Sequence, residues 1–443
     1  MKMDNRFSYS SRWRDHNPNL RRRRSGRFFS RRITLLSLFL CLLVTAYLLF
    51  FPIPWYKSEA GRNGDALSAI TKPIDTRQTS SRKLSIGGIE DLNLDPAHIE
   101  ERFTLQKEGI PLIVESSVDA DFQAYILSLL ETSNTVRAAV VVMQPDDGRI
   151  LAMVSYDSEE QGKSLCLKAD YPAASLFKII SAAAALESAR FSPEKSVSFV
   201  GRKHTLYKNQ LKDRKSRYSA TISFKKAFAS SINPVFGKLG IHDLGYEMMA
   251  KSAEKFFFER SIPFDFPVDK SEIFVPKDDF GLAELASGFN KGTTISPLHA
   301  ALLSSAVVNN GVMMKPWVVK RVKNEAGEVL YEGRESRMGV SVSPETAKGL
   351  RVLMKDTVIH GTCRKAFYRE RRRKVYKNVE LGAKTGTIND RDDQFKYDWL
   401  TAYVVPPSGK KGICIAVLGI HGKILGVRAN RLGRSIIRYY LSS

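Results

Sequence analysis

Ala173-Ala174-Ser175-Leu176-Phe177-Lys178-Ile179-Ile180-Ser181-Ala182-Ala183-Ala184-Ala185-Leu186 sets a hydroxyl and an amine three residues apart in a run otherwise rich in Ala, Leu and Ile. On a helix, positions i and i+3 are neighbours, so Ser175 and Lys178 meet on one face. No charge separates Lys178 from Glu187, and a helix that is apolar on nearly every side belongs in a core. Burial strips the ammonium of hydration and favours the neutral amine, and a second cation nearby pushes the same way. A neutral Lys178 can take the proton of Ser175. Bringing a solution lysine to neutrality requires about 4 kcal/mol of environmental work, more than an exposed position supplies. Spacing alone is weak: Ser-x-x-Lys recurs at Ser80/Lys83, Ser192/Lys195, Ser223/Lys226, Ser252/Lys255 and Ser408/Lys411, but only the copy at Ser175 sits in an apolar helix.

Working outward, Phe122, Tyr125, Ile126, Leu129 and Leu130 recur at helical spacing after Asp119. Arg137–Met143 and Arg149–Val154 read as two strands joined through Asp146-Asp147-Gly148, a hairpin. Downstream, residues 201–226 are crowded with Lys and Arg and predict a solvated surface, followed by one helix from Phe224 to Leu239. Further helices are predicted from Ser296, with Pro297 in the first turn, to Asn309-Asn310-Gly311, and from Pro344 to His360. The basic cluster Arg369, Arg371, Arg372, Arg373 and Lys374 predicts a solvated loop or a contact with an anionic polymer or lipid headgroup rather than nucleic acid. Leu381–Thr387, Trp399–Val405 and Ile413–Ile420 read as strands and Val427–Leu441 as a closing helix. Antiparallel strands from both ends of the domain with helices between them define an α+β fold.

The 443 residues are 43% hydrophobic, ample for a large core, with a formal net charge of +23. Eleven Lys and Arg precede residue 33, and Ile33–Phe51 is nineteen uncharged residues, about 28 Å as a helix. This predicts a basic cytoplasmic tail (1–32), a transmembrane helix (33–51) and the remainder outside the membrane. The competing reading is a signal peptide cleaved near Ser58-Glu59-Ala60; Pro52, Pro54, Trp55 and Tyr56 favour a retained interfacial anchor. A polar linker or short pedestal is expected over 52–109 and the main domain over 110–443. Of four cysteines, Cys41 falls in the span, leaving Cys166, Cys363 and Cys414, so at most one disulfide can form within the chain. Their spacing fits no zinc site, and neither a metal nor a cofactor is expected.

Two further patterns follow Ser175 in order: Ser231-Ile232-Asn233, and Lys384-Thr385-Gly386-Thr387 in a strand. With Ser-x-x-Lys they make a set that resembles the penicillin-binding transpeptidase superfamily of serine acyltransferases. Val140–Met153 resembles that family's first hairpin, Asn233–Gly240 the continuation of its second motif, and Thr294–Leu298 a late helix start. The likeness covers roughly residues 110–443. It implies an antiparallel sheet flanked by helices with an all-helical subdomain, and site residues in named roles. Ser175 would be the nucleophile and Lys178 its base. Ser231 would bridge Lys178 and Lys384 and relay a proton to the leaving amine. Asn233 would hold the substrate's peptide group, and Lys384, Thr385 and Thr387 its carboxylate. Gly386 would leave room for the substrate along the strand, and the N–H groups of Ser175 and Thr387 would form an oxyanion hole. The resemblance further implies a D,D-transpeptidase acting on D-Ala-D-Ala stem peptides of peptidoglycan and inhibited by β-lactams. No room remains between Phe51 and Ala138 for a glycosyltransferase domain, so such an enzyme is an expected partner. A D,D-carboxypeptidase, a β-lactamase and a non-catalytic wall scaffold are the alternatives.

Overall fold

The chain divides into two units, Met1–Ser81 and Arg82–Ser443. The computed structural model describes residues 89–443 apart from 93, 98, 161, 189–190, 213–216, 218, 391 and 408–409, all within the second unit. The predicted basic tail and transmembrane run therefore lie outside the described residues, as does the linker up to residue 88. Among the described residues, no helix is long and apolar enough to cross a membrane.

A five-stranded antiparallel sheet forms the frame. Its strands are β1 (Arg137–Met143), β2 (Ile150–Asp157), β3 (Glu380–Asn389), β4 (Lys396–Val405) and β5 (Ile413–His421), in the spatial order β3-β4-β5-β1-β2. β5 is central, and all nine of its residues are buried, which is why its sequence is a nearly unbroken apolar run rather than an alternating one. The nine helices that build the site and cover the sheet are α1 (Ala120–Glu131), α2 (Lys178–Glu187), α3 (Phe224–Ala229), α4 (Asn233–Lys238), α5 (Gly245–Lys255), α6 (Asp279–Ser287), α7 (Pro297–Val308), α8 (Pro344–Ile359) and α9 (Ala429–Ser442). α7 lies on one face of the sheet, and α1 and α9 on the other. Asp119 caps α1 by accepting from the Phe122 N–H (2.9 Å), and Ser296 caps α7 by accepting from the His299 N–H (3.1 Å). α7 is buried along almost its whole length, between the sheet and the helical block in which α2 packs on α5, α3 on α8 and α4 on α6. Two side chains tie it to β4: the Thr401 hydroxyl donates to the Ala300 carbonyl (2.7 Å) and Ser304 to that of Ala402 (3.2 Å).

The α+β class and the hairpin stand as read from sequence, and several details differ. A strand at Arg102–Lys107 pairs with Ile110–Ser116, so packing begins N-terminal to residue 110. The segment after Val200 is not merely solvated surface. Ser196–Val200 pairs with Ser219–Ser223, and Leu206 and Leu211 are buried against Ala283. The single helix expected over 224–239 is two, α3 and α4, broken at Ser230-Ser231-Ile232. Pro234, in the first turn of α4, has no N–H to give the Ser230 carbonyl four residues back, so α3 cannot run through into α4. The basic cluster folds into two short 3₁₀ turns, Glu370–Arg372 and Lys374–Tyr376, pinned by buried Phe367 and Tyr376. Cys166, Cys363 and Cys414 are all buried and free.

Candidate active site

The site forms where the helical block meets the edge strand β3. Ser175 stands on a 3₁₀ turn, Ala174–Phe177, that runs directly into α2. Ala174 adopts a left-handed backbone (φ 48°), a conformation that non-glycine residues hold only when their surroundings enforce it. The enforcement comes from two sides. Gly288, itself left-handed (φ 59°), follows α6 and packs so closely that a Cβ there would lie 2.0 Å from the Ala174 carbonyl oxygen. Gly386 of β3 leaves similarly little space: a Cβ there would sit 3.1 Å from that of Ala174 and 3.3 Å from the Ser175 nitrogen. These contacts bring the Ser175 turn and β3 together; the space at Gly386, expected from sequence to admit a substrate, is taken on this side by Ala174 and Ser175.

Lys178 is completely buried. Its Nζ lies 2.9 Å from Ser175 Oγ, 2.8 Å from Asn233 Oδ1 and 2.5 Å from the carbonyl oxygen of Ser287 at the end of α6. Burial first, and the charge of Lys384 second, hold its pKa well below the ordinary lysine value. Asn233 is fixed by the segment read as solvated surface: its N–H donates to the Lys203 carbonyl (2.7 Å) and its side-chain amide to that of His204 (3.1 Å). The helix break at Ser231, where φ is 52°, places its hydroxyl 3.0 Å from Lys384 Nζ. Here the expectation is half met. Ser231 bonds Lys384, whereas the bonds of Lys178 go to Ser175, Asn233 and Ser287.

Lys384 is also fully buried; it donates to the Thr385 carbonyl (2.7 Å) and lies 5.6 Å from the centre of the Phe228 ring. Burial pushes its pKa down to about 7. Alternation along β3 turns Thr385 and Thr387 the other way. The Thr385 and Thr362 hydroxyls are 2.6 Å apart, while Thr387 donates to Asp398 Oδ1 (3.0 Å) and accepts from Arg428 Nη2 (3.1 Å). Neither hydroxyl is as free as sequence reading assumed. Thr362, Asp398 and Arg428 escaped that reading, as did the carbonyls of Ser287, Lys203 and His204.

A helical block seated on a five-stranded antiparallel sheet, with a serine and two buried lysines at the seam, is the fold of the penicillin-recognising serine enzymes. The chain belongs to the family described by the penicillin binding protein transpeptidase domain, whose model matches residues 138–424. It is 26% identical over 307 residues to stage V sporulation protein D of Bacillus subtilis, covering 66% of this chain and 46% of that protein. It is 24% identical over 315 residues to the peptidoglycan D,D-transpeptidase PbpA of Mycolicibacterium smegmatis, covering 64% and 61%. The chain spans less than half the length of the Bacillus subtilis relatives it matches, 46% of one and 42% of the other. Among solved structures, the imipenem acyl-enzyme complex of penicillin-binding protein A from M. tuberculosis superposes with a TM-score of 0.61 at 22% identity, covering 74% of this chain and 79% of that one.

Proposed function

We propose that this chain is a membrane-anchored peptidoglycan D,D-transpeptidase that forms an acyl-enzyme on Ser175 and is a target of β-lactams. The observation that carries this reading is the set of partners around the buried Lys178 amine. Asn233 Oδ1 and the Ser287 carbonyl can only accept hydrogen bonds. A neutral amine has two N–H groups, one for each of them, and its lone pair is left for the Ser175 hydroxyl at 2.9 Å.

In the reaction, Ser175 Oγ attacks the carbonyl of the penultimate D-Ala as Lys178 takes its proton. The oxyanion develops against the N–H groups of Ser175 and Thr387. Ser231, hydrogen-bonded to Lys384, passes a proton to the departing D-Ala nitrogen and is resupplied from Lys178 once the bound substrate brings the two together, since they share no hydrogen bond in the free protein, leaving an ester on Ser175. An amine from a second stem peptide then takes the acyl group and restores the serine. Asn233 orients the donor peptide, and Gly386 lets it lie along β3 as an added strand. The carboxylate end falls beside Lys384, Thr385 and Thr387. A tail over 1–32, a single span over 33–51, a linker over 52–109 and the transpeptidase domain over 110–443 would put this site outside the cytoplasmic membrane. A glycosyltransferase partner would supply the glycan strands.

Intact-protein mass spectrometry of the full chain in detergent with a penicillin tests the acyl-enzyme. One stoichiometric adduct is expected, absent from Ser175→Ala. A folded protein without an adduct overturns the reading, and an adduct that vanishes as hydrolysed drug accumulates identifies a β-lactamase instead.

The pH dependence carries a second prediction. Acylation needs Lys178 neutral and Lys384 charged, and the two titrate as a pair. The rate rises with pH as Lys178 loses its proton, well below the ordinary lysine range, and falls as Lys384 discharges on passing about pH 7. The nearby His204, held below its usual pKa by burial and by both lysines, stays neutral over the falling limb. Measured acylation constants across that range should trace a bell, and Lys384→Arg, whose charge persists, should lose the alkaline limb. A flat profile above neutrality would contradict the assignment of Lys384.

A further inference from the structure

A dense block of like charge takes no part in the site around Ser175. Arg364–Lys377 holds eight Lys and Arg against a single acid, Glu370, and all eight cations are exposed. Blocks of like charge repel and normally leave a segment unfolded. This one is folded. Phe367 and Tyr376 are buried and pin it, and the segment rests on α9, which adds Arg431, Arg434 and Arg438 along one face at helical spacing.

Glu370 joins the two elements. It is buried, with its carboxylate 2.9 Å from Arg373 Nε and 3.8 Å from Arg438 Nη1. Its capacity ends there. The Arg434 Nε–H and the Tyr376 hydroxyl are also buried, with no hydrogen-bond partner among the described residues. Burial and the Glu370 charge raise the Tyr376 pKa against the pull of Arg438, Arg434 and Arg373, so its hydroxyl keeps its proton. The fold therefore places more donors at this surface than it supplies acceptors, a deficit of the kind an anion fills.

The composition of the band selects the anion. Arg364–Lys377 contains no Ser, Thr, Asn or Gln to bind sugar hydroxyls. Its exposed aromatic, Tyr368, is covered: the Arg372 guanidinium lies 4.3 Å from the ring centre and donates to the hydroxyl (2.5 Å). A bilayer surface calls for apolar side chains beside the cations and a nucleic acid for open aromatic faces, and of these the segment has only the exposed Val375 left. What it offers instead is guanidinium forks, which pair with phosphate oxygens two at a time. Along α9 they recur about every 4.5 to 6 Å, one charge for each short repeat of a polymer. The band adjoins the Ser175 site through Thr362, whose hydroxyl touches Thr385 and whose carbonyl accepts from Asn430 (3.5 Å) near the start of α9.

We propose that this band binds a linear phosphodiester polymer, its successive phosphates met by the arginines of the 3₁₀ turns and of α9. A chain held there keeps the domain against an anionic matrix beside its site. The proposal does not depend on the chemistry at Ser175.

The test titrates the full chain in nonionic detergent with fluorescently labelled poly(glycerol phosphate), reading anisotropy over a range of salt concentrations. The basic tail over 1–32 also attracts polyanions, so every protein compared carries Arg21→Gln, Arg22→Gln, Arg23→Gln and Arg24→Gln. In the band variant Arg369→Gln/Arg371→Gln/Arg372→Gln/Lys374→Gln, affinity should fall at least about tenfold. The slope of log affinity against log salt should fall by about 3, roughly 0.7 for each cation on a single-stranded polyanion. The control Lys251→Gln/Lys255→Gln/Lys277→Gln/Lys348→Gln removes the same charge from other exposed positions and should change both far less. Melting temperatures of the two variants should match that of their parent. Equal losses in the two variants would reduce the band to net charge and overturn the proposal, as would equal affinity for polygalacturonate. Displacement of the polymer by phosphatidylglycerol in mixed micelles would make the band a membrane contact and overturn it too. None of these readouts needs a reactive serine. A chain that binds the polymer but takes no penicillin loses only the acyl-transfer reading, and one that takes penicillin but ignores the polymer loses only this proposal.

Discussion

Replacing Lys178 by methionine lowers the rate of penicillin acylation about a thousandfold, the typical contribution of a positioned general base. The side chains are of similar length and the site is fully buried, so the substitution removes the amine with little change in volume. Two opposing effects bear on folding. Deleting the amine leaves Asn233 Oδ1 and the Ser287 carbonyl unpaired, at about 1–3 kcal/mol for each buried acceptor, while no basic group then has to be desolvated. Stability should therefore shift far less than activity, and a melting curve run beside the acylation assay separates the two. A loss smaller than about tenfold would leave Lys178 outside the proton transfer.

Gly288→Ala is expected to produce the other large effect, although residue 288 has no part in the chemistry. The added methyl would sit 2.0 Å from the Ala174 carbonyl oxygen, a backbone atom with no rotamer to escape into, and alanine is itself strained at φ 59°. The turn carrying Ser175 has to move. A displacement near 1 Å at a nucleophile reduces the rate about a hundredfold, and left-handed alanine adds about 1 kcal/mol of destabilisation. Thermal unfolding and acylation should fall together in this variant, whereas in Lys178→Met activity falls almost alone. Wild-type acylation by Gly288→Ala would mean that the left-handed Ala174 has no part in aiming the serine.

Much of the frame was legible because it is periodic. β5 announces a doubly covered strand by its unbroken apolar run, α1 by its helical spacing, and the three short motifs by their order and settings. The break between α3 and α4 was also written in the sequence, at Pro234, and the apolar character of the segment hid it. Asp398 carried a signal as well, since a carboxylate abutting a strand as apolar as Trp399–Val404 needs a reason. Other parts were not legible in principle. The carbonyls that hold Lys178 and Asn233 belong to Ser287, Lys203 and His204, and a backbone oxygen is the same whatever side chain stands beside it. Arg428 is one arginine in a strongly basic chain, and only the closure of β5 and α9 onto β4 distinguishes it from the others.

The order of strands has a consequence for how the protein is made. β1 waits for β5: Met143 pairs with Cys414, and β3, which supplies Lys384, is also encoded late. At cellular synthesis rates, the interval between emergence of those paired residues is roughly a quarter of a minute to a minute. Through that interval the nascent chain holds Ser175 and Lys178 on an apolar helix with neither its sheet nor the second lysine. The groups that enclose the Lys178 amine, Asn233, Phe236 and the Ser287 carbonyl, are already made by then; what arrives only with the last third of the chain is β3 and the charge of Lys384. The constellation of Ser175 with both lysines is thus completed only by long-range pairing, near the end of synthesis.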